Sequence, residues 1–163
     1  MNIKPVAFTV SFNNKVGVLK TPIGIYTTPK FNPSFKPFKK VYTALWDTGS
    51  NITVISAELA NKLNLEPVGE MHVDTANGHV VMNRYIVSLS LPNHLNIENI
   101  MISSGKLGPG VDILIGMDII TLGDFSITNY DNKTIFSFRF PSIKKIDFVK
   151  EIDNWLYIFS MIL

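Results

Sequence analysis

Cysteine is absent from this 163-residue chain, which excludes disulfides, a thiol nucleophile and thiolate-bound metal, so nothing here calls for an oxidising compartment. Acid is missing as well over a long stretch. The first 46 residues carry Lys4, Lys15, Lys20, Lys30, Lys36, Lys39 and Lys40, and the first carboxylate is Asp47. Solvated lysines on strand edges and a loop account for that basic surface, and a net charge of +2 points to no nucleic acid or other polyanionic partner. Long apolar runs are also lacking. Met1 to Pro5 has no continuous apolar core of a secretory signal, so the expected location is cytoplasmic. Trp155 to Leu163 is apolar apart from Ser160 but falls well short of the roughly 20 residues a membrane-spanning helix needs.

What remains is a chain of 46% hydrophobic and 17% charged residues, suited to one ordinary domain with its own core. Short apolar runs between turn residues predict an all-β, mainly antiparallel fold. Val6–Phe12 and Val16–Leu19 flank Asn13-Asn14-Lys15 and predict an N-terminal hairpin. Between Thr27 and Lys40, Pro29, Pro33 and Pro37 alternate with Phe31, Phe35 and Phe38; proline removes ladder donors, so this is a loop whose aromatics pack locally. Ser56 is placed to cap a short helix carrying Leu59 and Leu63 on one face. Asn77-Gly78 reads as the turn pair of a hairpin between Met71–Thr75 and His79–Leu91, in which Tyr85, Val87, Leu89 and Leu91 form one apolar face. Further strands follow at Ile97–Ile102 and Val111–Gly116, then a helical turn at Met117–Leu122 and a last hairpin from Phe125–Asn129 to Thr134–Phe140. After residue 141 the spacing of Ile146, Val149, Ile152, Leu156, Phe159 and Leu163 predicts an amphipathic helix, giving a domain over 1–141 and a helical extension over 142–163. The extension is expected to pack on the core or a second subunit, with membrane contact the lesser alternative.

Asp47-Thr48-Gly49-Ser50 sits between two apolar runs, Tyr42–Trp46 and Ile52–Ile55, and has no second copy; Asp74-Thr75-Ala76 comes nearest but lacks the glycine. Hydrolysing a peptide needs a base to activate water and an acid to protonate the carbonyl oxygen and the leaving nitrogen. Two adjacent carboxylates sharing a proton serve as both, because close like charges separate their pKa values. One chain supplies half of such a pair. A second hallmark, Ile113-Leu114-Ile115-Gly116 followed by Met117-Asp118-Ile119-Ile120, would not be expected of an ordinary Asp-Thr-Gly turn.

In the order and spacing of Leu45-Trp46-Asp47-Thr48-Gly49-Ser50, the hairpin at Asn77-Gly78 and Ile113–Gly116, the chain resembles the retropepsins, single-domain homodimeric aspartic peptidases of retroviruses with cellular and bacterial relatives. The resemblance covers about residues 5–140. It implies a retropepsin-like half-barrel with one or two short helices, acting as a homodimer on polypeptide substrates, with neither cofactor nor metal. It makes Asp47 the catalytic acid and base, Thr48, Gly49, Ser50, Ile115 and Gly116 the support of its loop, and Thr75, Ala76, Asn77 and Gly78 the flap over substrate. Ser50 stands where many viral members have alanine, and its hydroxyl is expected to donate to the outer oxygen of Asp47 and favour a more acidic optimum. The flap tip has a single glycine, and the chain runs on well past the short helix, so dimer contacts through the termini are expected to differ from the viral pattern. The rival reading is a catalytically silent peptide-binding or scaffold domain of the same fold. His72, Asp74, His79 and His94 read as surface residues rather than a metal site.

Overall fold

The computed structural model describes residues 4–32, 40–75 and 78–152. Among the described residues ten strands are arranged in two sheets: β1 (Val6–Ser11), β2 (Leu19–Tyr26), β3 (Tyr42–Trp46), β4 (Val54–Ser56), β5 (Gly69–Thr75), β6 (Gly78–Leu91), β7 (Leu95–Gly105), β8 (Ile113–Ile115), β9 (Asp124–Thr128) and β10 (Ile135–Phe140). Helix α1 (Ala57–Lys62) follows β4 and helix α2 (Met117–Ile120) follows β8. The larger sheet runs β2-β3-β8-β4-β7-β6-β5, and β2 also pairs with β6, so six strands close on themselves while β5 hangs from the outer arm of β6. The smaller sheet runs β1-β10-β9.

Alternation along the strands decides which face is dry. In β2, Leu19, Thr21, Ile23 and Ile25 are buried, and in β3 so are Tyr42, Ala44 and Trp46. The two sheets meet in an aromatic cluster: Trp46 lies 5.0 Å from Phe136, 5.1 Å from Phe138 and 6.0 Å from Phe8 and Phe125, centre to centre. Trp46 Nε1 donates to Thr21 Oγ1 at 2.9 Å, which satisfies both polar atoms inside the core. The residue immediately before Asp47 is therefore its anchor, and truncating a ring so placed costs about 3–5 kcal/mol.

Several sequence expectations shift. Val6–Phe12 and Val16–Leu19 do not form a hairpin; β1 pairs along its length with β10, from Val6↔Phe140 to Ser11↔Ile135, while β2 joins the other sheet. The reason lies between them. Asn14 O accepts from Thr134 N, Val16 N donates to Thr134 Oγ1 and Phe12 N to Thr134 O, so the connection wraps around the buried Thr134 instead of turning tightly. The Pro/Phe/Lys loop falls partly outside the described residues, with Phe35 and Phe38. Its first part forms a turn, and buried Asn32 donates to Asn64 O at 2.9 Å. Ser56 caps α1 through Leu59 N, and Leu59 and Leu63 are buried as the spacing predicts. Beyond β10 the chain is not helical until 148–152, where Asp147 receives the amides of Lys150 and Glu151; Ile146, Val149 and Ile152 are exposed. Leu156, Phe159 and Leu163 lie outside the described residues. Among the described residues no helix is long and apolar enough to cross a membrane.

Candidate active site

Asp47 follows β3 directly, and its backbone N–H continues the ladder by donating to Ile115 O at 2.9 Å. Its Oδ1 accepts from Gly49 N at 2.8 Å, and Ser50 N closes a turn onto Asp47 O. The side chain is half-buried, with Thr48 and Gly49 exposed beside it. A carboxylate presented this way has one oxygen held by the chain's own amide and its surroundings open to whatever covers the loop.

Ile115 and Gly116 pass beneath this loop. Met117 N donates to Ser50 O at 2.8 Å. A Cβ on Gly116 would stand 2.4 Å from Ile52 O, closer than any real contact, so only glycine lets the two segments cross. Ser50 does not donate to Asp47 as expected: its hydroxyl gives its one hydrogen to Ile52 O at 2.8 Å, which tightens the loop on itself. With that hydrogen given to Ile52 O, the Ser50 hydroxyl does not favour a more acidic optimum by donating to Asp47.

Two residues that sequence reasoning missed complete the support. Thr53, fully buried, donates its backbone N–H to Asp118 Oδ2 at 2.8 Å and its hydroxyl to Asp118 Oδ1 at 2.7 Å, while Thr53 Oγ1 accepts from Gly116 N at 3.1 Å. Asp118 Oδ1 also accepts from Ile119 N at the start of α2. One carboxylate thus stitches the segment after Asp47 to the helix after Gly116. The signal was present in the sequence as a threonine on one apolar run and an acid two residues beyond the glycine of the other.

Strands β5 and β6 pair from Gly69↔Arg84 to Thr75↔Gly78, so Gly78 belongs to the strand, not to the turn; the register is one residue off the Asn77-Gly78 reading. Gly78 keeps φ +113°, a conformation that suits glycine. Ala76 and Asn77 lie outside the described residues. At the base of the pair the Met82 side chain approaches Gly105 beside Val54. His72 and His79 lie with ring centres 5.8 Å apart on the two strands, whereas His94 sits at the far end of β6. Near the start of β3, burial, with the Asp112 carboxylate nearby, pushes the Tyr42 hydroxyl above its ordinary value and keeps it neutral.

A family model described as aspartyl protease matches residues 36–119, and the chain belongs to that family. Its fold is retropepsin-like. The crystal structure of a retropepsin-like aspartic protease from Rickettsia conorii superposes with a TM-score of 0.54 at 17% identity, over 84% of this chain and 96% of that one. The retroviral protease-like domain of Ddi1 from Leishmania major gives 0.48 at 14% identity, over 82% and 99%, and the EIAV protease bound to the inhibitor HBY-793 gives 0.47 at 16%, over 68% and 91%. No curated protein matches the chain significantly.

Proposed function

We propose that this protein is an aspartic endopeptidase in which two copies of the chain each contribute Asp47 to one carboxylate dyad. The observation that carries the proposal is Asp47 itself: half-buried, fixed by Gly49 N–H, and carried on a loop whose backbone is bonded on both sides to the Ile115–Met117 segment. A loop held this firmly suits an acid that must meet its symmetry mate at hydrogen-bonding distance. Sharing one proton, the dyad holds a water between its carboxylates. The ionised acid takes a proton from that water as it attacks the peptide carbonyl, and the protonated acid gives its own to the carbonyl oxygen. As the tetrahedral intermediate collapses, a proton passes to the leaving nitrogen. Substrate lies extended between the catalytic loops and the flap arms, its backbone pairing with strand edges. Thr48, exposed beside Asp47, is the residue that would bond across to the partner loop.

Asp47→Asn keeps the side chain's shape and removes its ability to ionise. Cleavage of a denatured protein mixture between pH 3 and 7 should fall by about 10³-fold or more, and pepstatin should inhibit the parent protein. Full cleavage by the Asp47→Asn protein would refute the assignment. Tight peptide binding by a parent protein that cleaves nothing would instead support the silent peptide-binding domain.

A further inference from the structure

The register across four neighbouring strands lines up a single row: Lys20 opposite Leu45, Leu45 opposite Leu114, and Leu114 opposite Val54. Residues opposed across a ladder share a face, and this face is the one opposite the buried Ala44, Trp46, Ile113 and Ile115. Asp47 lies two residues beyond Leu45 along the same ladder and so on the same side. The floor leading to the candidate acid is thus apolar in its middle, where Leu45 and Leu114 are half-buried, and ends in a cation.

That cation is underused. Lys20 is exposed, and its Nζ reaches only Gly110 O, at a long 3.4 Å. An ammonium has three hydrogens to donate, and among the described residues Lys20 forms no ion pair with a carboxylate. Besides Asp47 itself, the acid on this face is Asp112, two residues before Leu114 on β8, and its Oδ2 is engaged by Thr43 N at 2.8 Å. We propose that Lys20 is a specificity-determining residue, selecting peptides with an aspartate or glutamate close to the scissile bond. The proposal rests on the peptidase reading above and adds the chemistry of the substrate. One strand spacing and two residues separate Lys20 from Asp47, about 8–9 Å between Cα positions. An extended substrate advances about 3.3 Å per residue, so the acidic side chain falls within about three residues of the cleaved bond. A carboxylate there gives Lys20 a charged partner in place of a weak carbonyl contact.

The test uses peptides with one apolar cleavable core and Glu, Gln or Lys at each position within three residues of the scissile bond. With the parent protein, kcat/KM for the Glu peptide should exceed that for Gln by about five-fold at one position, a ratio that shrinks with added salt. Lys20→Ala should bring the ratio to about one, and Lys20→Glu should reverse the preference towards the Lys peptide. Equal cleavage of the Glu and Gln peptides by the parent protein, or a Glu preference that survives Lys20→Ala, overturns the proposal. Binding of the same peptides to the Asp47→Asn protein, followed by fluorescence polarisation, separates the two claims. A Lys20-dependent Glu preference in binding with no cleavage by the parent sinks the peptidase reading and leaves the role of Lys20 standing, whereas cleavage without that preference does the reverse.

Discussion

Two aspartates hold two chain crossings in this molecule, and they do it differently. Asp118 receives a backbone amide and a hydroxyl from the buried Thr53, and through Thr53 the amide of Gly116. All of its partners are neutral. Asp124 receives the Arg139 guanidinium through Nε at 2.8 Å and through a second nitrogen, together with the Ser142 hydroxyl and Ile143 N. Its partners include a full charge, and they lie where the chain leaves the smaller sheet. The first clasp fastens the loop under Asp47 to the barrel, while the second fixes the exit of β10 from the smaller sheet. Asp118 is exposed, but the Thr53 donors it receives are fully buried and costly to orphan, whereas the Arg139–Asp124 pair, with side chains 30% and 15% exposed, keeps water within reach of its charges.

Breaking the first clasp should therefore have the larger effect. Asp118→Ala leaves Thr53 N–H buried without a partner and should lower stability by about 2–3 kcal/mol in denaturant unfolding, with a parallel fall in peptidase activity. Asp118→Asn retains a carbonyl oxygen for Thr53 N and should recover most of the loss. Thr53→Val keeps the shape but orphans Gly116 N, and about 1–2 kcal/mol is expected. Unaltered stability and activity in all three would mean that the stitch does not position the loop.

The second clasp is a matter of pH. Hydrogen bonds from Ser142, then Arg139, hold the Asp124 carboxyl at about 2, below its ordinary 3.8. A depressed folded-state pKa contributes stability that is present above about pH 4 and is lost as pH falls towards 2. Asp124→Asn should lower Tm by about 2–4 °C at neutral pH, and the difference from the parent should close over that acid window. A gap that stays constant down to pH 2 would contradict the assignment.

The contrast also shows where sequence was readable. Strand β8 with Gly116, the Ser56 cap and the apolar face of Tyr85, Val87, Leu89 and Leu91 were legible because each is written in a few adjacent residues. The pairing of β1 with β10 was not, since its partner lies at the other end of the chain and the Thr134 contacts that divert it leave no local mark. The Thr53–Asp118 clasp joins residues that each look ordinary where they stand. Between β5 and β6, one residue of slip between Asn77-Gly78 and the observed Thr75↔Gly78 pairing marks the limit of assigning turns from composition. Asp47 stood out because an acid between two apolar runs, after 46 residues without one, has few structural uses.

Mixing intact and inactivated chains tests the shared dyad most directly. If each active site takes Asp47 from two chains, adding an equal amount of the Asp47→Asn protein to a fixed amount of the parent, under conditions where dimers form and exchange freely, should cut its cleavage rate to about half, because mixed pairs are dead. A rate that does not change, with light scattering showing that the two proteins have mixed, would mean that one chain cleaves alone and that the two-chain site is wrong.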